Sequence, residues 1–277
     1  MFSLTVILER GDIQSWRVSL MRMHQESSSM RATPDFREQK TPRISANELA
    51  RFLVATDLGR EGIIRNARWQ GKVRVARYRV AKGAMCEFLT DNMHSHRIIG
   101  NAKNKLEGVL SDPEASAFKH EDARSSIVAL DAFQRGWNAF GLGGLNFDGV
   151  PKLKTLEFEG VEISVQMDAV TKRESPSRPT LVGGVLLRMA RGDGETDGAA
   201  AKRREIGRNA AVLVYLGAEQ NLGKLGTASP ELCYSVDVQH GESHQAPKNY
   251  LAIVENMNAA CRTIAALWDS AVPPGGK

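Results

Sequence analysis

Asp168 is the residue of this chain best placed to do chemistry. It closes a segment in which Val161, Ile163, Val165 and Met167 alternate with Glu162, Ser164, Gln166 and Asp168. That period of two predicts a strand with one buried face and a carboxylate at its end. Such a carboxylate is a hard oxygen donor, the kind of ligand that Mg²⁺ takes alongside further oxygens and water. Asp168 is therefore the candidate metal ligand, and a strand-end acid held in a salt bridge is the other reading of it. Metal chemistry needs more than one carboxylate. Glu157 and Glu159, just upstream, complete the candidate catalytic set with Asp168, and Glu121, Asp131 and Asp193 are further acids that could swing towards it. Each of these also reads as ordinary surface charge.

The second group with chemical potential is basic. Between Arg31 and Lys82 stand thirteen Lys or Arg against five acids, an excess of eight where the whole chain carries +5. Arg65, Arg68, Arg74, Arg77 and Arg79, with Tyr78 interleaved, have the composition of a surface that tracks a phosphate backbone. Lys202, Arg203 and Arg208, at the start of a later helix, could grip a phosphate. A solvated basic face without a ligand is the competing reading in both places. His240 and His244 lie in a stretch, QHGESHQ, that reads as a strand-ending loop, where a spacing of four does not guarantee that two rings share a face; a metal site there is the minor reading. GxSxG, HExxH and P-loop spacings are absent from the sequence.

The elements that must position these residues can be sketched from the pattern. Residues 1–42 read as a flexible leader, with partial disorder expected over 27–42. Residues 43–118 read as a basic, mostly helical region, residues 119–272 as an α/β core and residues 273–277 as a tail. Ser45 followed by Glu48 is a capping box ahead of the apolar stripe Leu49, Ala50, Phe52 and Leu53. A second helix is expected over 60–69, joined through residues 56–59. The pair reads either as a helix-turn-helix or as a helical cap on a larger domain, and no base-reading set is identifiable. Helices are expected over 84–93, 121–140, 199–221 and 249–270, and a polar helix or connector over 97–110. The Gly-Leu-Gly-Gly at 141–144 follows a helix, so it reads as a cap and turn and not as a dinucleotide loop. Residues 171–180 read as a loop and 181–189 as an apolar strand covered on both faces. A further strand is expected over 231–239.

Composition bounds the rest. With 277 residues, 42% hydrophobic and 25% charged, the chain has the balance of a soluble protein able to bury a sizeable core. The basic balance makes an acidic partner, nucleic acid and above all DNA, the natural expectation. An oligomer or protein complex is compatible with it. No apolar run approaches the ~20 residues of a membrane span, and the N-terminal stretch lacks signal-peptide features. Three well-separated cysteines suggest neither a disulfide framework nor a zinc site, which fits a cytoplasmic protein.

From residue 121 the expected order is helix, three strands, helix, strand. This αβββαβ pattern, with an Asp closing a strand, resembles the restriction-endonuclease-like PD-(D/E)XK nucleases over about residues 121–270. The resemblance implies a mixed central sheet flanked by helices. It also implies Asp168 as a Mg²⁺ ligand, and an acid and a lysine two residues apart on the next strand. Gly184 and Leu186 fall at those two positions, so the motif is degenerate. Arg188 cannot stand in as a general base because it does not lose its proton. The resemblance thus implies a nucleic-acid-binding relative with reduced or lost catalysis, of the sort that occurs in phage, plasmid or defence contexts. An active Mg²⁺-dependent DNA endonuclease using Asp168 and a migrated acid, and an assembly subunit that binds no nucleic acid, are the alternatives.

Overall fold

The structure, a computed structural model, describes residues 36–71, 77–189 and 196–274. Within them the chain runs β1 (Phe36–Glu38), β2 (Arg43–Ser45), α1 (Ala46–Val54), α2 (Asp57–Arg68), β3 (Trp69–Gly71), α3 (Arg79–Thr90), α4 (His96–Ser111) and α5 (Ala117–Gly136). It continues with β4 (Asn146–Asp148), β5 (Leu156–Phe158), β6 (Val161–Ser164), β7 (Ala169–Ser175), β8 (Arg178–Arg188), α6 (Asp197–Asn221), β9 (Thr227–Asp237), β10 (Glu242–Gln245) and α7 (Leu251–Trp268). The fold is mixed α/β. No described helix is long and apolar enough to cross a membrane.

The central sheet has the order β10-β9-β8-β7-β4. β8 and β9 are parallel, and α6 supplies the crossover that a parallel pair requires. The other neighbours in this sheet are antiparallel. A second sheet, β2-β6-β5, pairs β2 parallel to β6, and a third pairs β1 with β3.

Alternation along the central strands divides the core in two. Val170, Val182, Leu186 and Cys233 face one side, where α1, α2, α6, α7 and the second sheet pack. Ala169, Val185, Leu187 and Val236 face the other side, against α3, α4 and α5. The long apolar strand expected over 181–189 is therefore covered on both faces. At Gly183 the register of β8 against β9 slips by a bulge. A Cβ there would lie 2.1 Å from the Leu232 carbonyl oxygen, so only glycine permits the approach. That carbonyl accepts a hydrogen bond from Thr171 Oγ1 at 2.6 Å.

The capping box forms as expected. Ser45 Oγ accepts from the Glu48 backbone N–H, Glu48 Oε2 accepts from the Ser45 N–H, and Leu49, Ala50 and Phe52 are buried. Thr56 caps α2, so Asp57 to Gly59 form its first turn and not a connector. α3 begins at Arg79, five residues earlier than the apolar pattern suggests, because Lys82 and Gly83 interrupt the stripe without breaking the helix.

Several expectations are corrected. Residues 171–180 are not a loop: Ala169–Ser175 is β7, joined to β8 through a two-residue turn at Pro176 and Ser177. Charged Lys172, Arg173 and Glu174 sit on the exposed half of that hairpin, and their polarity masked it. Asp168 does not end a strand; β6 stops at Ser164, and Asp168 stands one residue ahead of β7, its N–H bonded to Val185 O at 2.7 Å. QHGESHQ contains β10, which pairs with β9. Within the expected leader, Phe36–Glu38 is a strand held by β3; residues 1–35 lie outside the described residues.

Candidate functional site

The Asp168 carboxylate is almost wholly enclosed, with a side-chain exposure of 7%. Its Oδ2 accepts the Leu187 backbone N–H at 2.7 Å, and its Oδ1 meets the Lys82 ammonium at 2.9 Å. The Cys86 thiol approaches Oδ1 at 3.9 Å. Lys82 and Cys86 are four apart on α3 and so share one helix face. Burial pushes the Asp168 carboxyl above the ordinary carboxylate range, and Lys82 and the Leu187 N–H pull it back down. Burial, then the Asp168 charge, raises the Cys86 thiol to about 11.

Asp168 also borders a cleft of about 520 Å³ lined by Arg43, Lys82, Lys154, Ser164 and Gln166. A neighbouring cleft of about 690 Å³ shares Arg43, Ser164 and Gln166 and adds Arg37, Ser45 and Gln70. Through those shared residues the two form one groove crossing the β2-β6 pair. Its lining carries Arg37, Arg43, Lys82 and Lys154 against Asp168, which Lys82 neutralises, and Glu48, which the α1 capping box occupies. Arg43 has one long contact, 3.8 Å to Glu162. Arg37 and Lys154 have no acidic partner among the described residues. Cations along a polar groove are suited to successive phosphates.

No protein-family model matches the chain, and no curated protein matches it.

Of the acids proposed to join Asp168, Glu159, Glu157 and Asp131 are placed elsewhere. Glu159 pairs with Arg262 of α7 at 2.8 Å. Glu157 is exposed on β5, opposite Glu162. Asp131 pairs with Lys103, and Asp193 lies outside the described residues. No group of three or more His, Cys, Asp or Glu able to hold a metal exists among the described residues. Gly184 and Leu186 turn to the α6 side, where a Cβ on Gly184 would meet Met167 Sδ at 2.6 Å, whereas the Asp168 carboxylate meets α3. A carboxylate with both oxygens taken by protein donors does not fit the oxygen cage that Mg²⁺ needs.

Of the basic candidates, Arg65, Arg79 and Lys202 are exposed. Arg68 binds Glu38 at 2.7 Å and stacks over Trp69, and Arg77 lies over Phe118. Arg203 is half-buried, and Arg74 lies outside the described residues. Arg208 lines a different cavity, between helices. None of the described candidates lines the Asp168 groove. Its cations Arg37, Arg43 and Lys82 belong to the basic stretch, but only the fold shows which members converge. Lys82 and Cys86 would have emerged from the sequence had α3 been started at Arg79, since their spacing then puts them on one face.

Proposed function

We propose that the chain is a nucleic-acid-binding protein of restriction-endonuclease-like descent in which an ammonium has taken the place of the metal. The observation that carries this reading is the contact between Lys82 Nζ and Asp168 Oδ1, 2.9 Å. It supplies a positive charge where a divalent ion would need the carboxylate free, and it leaves no site for metal-activated water. Sheet membership supports the descent: α5, β4, β7, β8, α6 and β9 follow one another as αβββαβ once β5 and β6 are assigned to their own sheet. Asp168 then adjoins the second strand of the set, although at its start. The groove lined by Arg37, Arg43 and Lys154 supports backbone-directed binding with little sequence readout.

Fluorescence anisotropy with single- and double-stranded oligonucleotides, titrated from low to physiological salt, tests the binding. The expected result is affinity that falls steeply with salt, and Lys154→Gln or Arg43→Gln reducing the magnitude of the slope by about one phosphate contact each. Salt-insensitive or absent binding would favour an assembly subunit. Plasmid incubation with Mg²⁺ or Mn²⁺ is expected to give no cleavage; metal-dependent nicking abolished by Asp168→Ala would instead restore the endonuclease.

A further inference from the structure

A cavity of about 730 Å³ shares no lining residue with the Asp168 groove. It opens between α1, α2, α6 and α7. Arg60, Arg204 and Arg208 line it, with Glu205 as its one acid. Arg60 is held in place by the Phe52 carbonyl at 3.2 Å and by Asp57 at 3.3 Å, and its guanidinium lies over the Phe52 ring. Arg204 and Arg208, four apart on α6, have no hydrogen-bond or ion-pair partner among the described residues. Like charges at that spacing repel across one helix face, a cost that an anion lying between them removes.

A second observation points the same way. Asn209 lines this cavity and is only 5% exposed, yet its side-chain amide has no hydrogen-bond partner among the described residues. The amide is not sealed off from solvent, so its oxygen and nitrogen are available to a molecule in the cavity. Asn256 and Thr263, on α7, add neutral polar groups to the opposite wall. The volume is that of a small-molecule pocket, and the lining combines apolar Leu53 and Ile253 with a few convergent donors.

We infer that this interhelical cavity binds a small phosphate-bearing ligand, its phosphate held by Arg204, Arg208 and Asn209. Phosphate suits the set better than a single carboxylate. Two guanidinium forks and an amide offer more donors than two oxygens can accept, whereas a terminal phosphate presents three oxygens and about two charges. This inference is independent of nucleic-acid binding in the groove.

Isothermal titration calorimetry of the full chain with pyrophosphate and with ADP tests it. At least one probe is expected to bind, with Arg204→Gln and Arg208→Gln each weakening it about ten-fold or more and Lys154→Gln leaving it unchanged. Both arginines are exposed, so their substitution spares the core. Asn209→Leu, which keeps the volume and removes the amide that faces the cavity, is expected to lose affinity while keeping its melting temperature. The inference is overturned if neither probe binds below about 1 mM. It is equally overturned if the arginine variants bind as the wild type does, or if Asn209→Leu lowers stability with affinity intact.

Discussion

Lys82 Nζ lies 2.9 Å from Asp168 Oδ1, and the two side chains differ sharply in exposure, 34% for the lysine and 7% for the aspartate. The pair is thus asymmetric: the lysine keeps part of its hydration, and the aspartate depends on the protein for nearly all of its stabilisation. The consequences of breaking the pair depend on which partner is removed.

Lys82→Met leaves a buried carboxylate with one backbone donor and no cation. The expected loss is about 1–3 kcal/mol at pH 7, below the value for a fully buried pair because the lysine is partly solvated. The Asp168 carboxyl already sits above its ordinary value, and losing Lys82 moves it higher. The folded variant therefore takes up a proton more readily than the unfolded chain. Its deficit relative to wild type is greatest above the folded pKa and shrinks as pH falls towards the ordinary carboxylate value. Urea unfolding of both proteins at pH 7 and pH 5 measures this; an equal deficit at both would mean that the carboxylate charge is not what Lys82 stabilises.

Removing the aspartate separates its charge from its hydrogen bond. Asp168→Asn keeps an acceptor for the Leu187 N–H and frees Lys82 to turn to solvent, so its stability is expected within about 1 kcal/mol of wild type. Asp168→Ala strands the N–H and opens a cavity, and is expected to be about 1–3 kcal/mol less stable than the asparagine variant. Equal stabilities for Asn and Ala would show that the 2.7 Å bond to Leu187 contributes little.

What could be read in advance divides along physical lines. The α1 capping box, the apolar β8 and the α6 and α7 helices were legible because their signals are local: a side chain caps its own helix, and burial on both faces leaves few polar residues. β7 was not legible. Its charged second half is stabilised by pairing with β8, a partner no window around residues 171–175 reveals. Asp168 could be singled out as an acid in an unusual position, but its occupant could not, because Lys82 is 86 residues away in sequence and reaches it only through the packing of α3 on the sheet. The same holds for the groove, whose cations come from β1, β2, α3 and the segment before β5.

His244 gives the acid side of the stability curve a specific contributor. Its ring packs on Gly207 and lies near Glu242, at 3.5 Å, with Arg188, Asp237 and Arg208 the other charges acting on it. Burial first, and then Arg188, hold its pKa below the ordinary histidine value. A folded pKa below the unfolded one means that stability is complete above the unfolded pKa and is lost as pH falls through it towards the folded value. Wild-type stability is expected to decline between pH 7 and pH 5 by up to about 1.4 kcal/mol per pH unit from this one proton. His244→Gln should flatten that slope, as read by chemical denaturation across the range; an unchanged slope would move the acid sensitivity to other groups.

Gly183→Ala tests the bulge that seats β9 against β8. The added methyl would stand 2.1 Å from the Leu232 carbonyl oxygen and 2.7 Å from the Leu232 Cβ. The nearest obstacle is backbone, not the end of a flexible side chain, so relief requires β9 to shift. That shift would also pull the Leu232 carbonyl from Thr171 Oγ1, which is fully buried and has this carbonyl as its partner. Overpacking and a strained hydrogen bond together are expected to cost about 2–4 kcal/mol. Gly143→Ala, at an exposed glycine with open space around its Cβ, is the matched control and is expected to change stability by less than about 0.5 kcal/mol. Thermal denaturation of the two variants side by side decides it: a similar melting temperature for both would mean that β9 moves freely and that the bulge is not a fixed feature of the sheet.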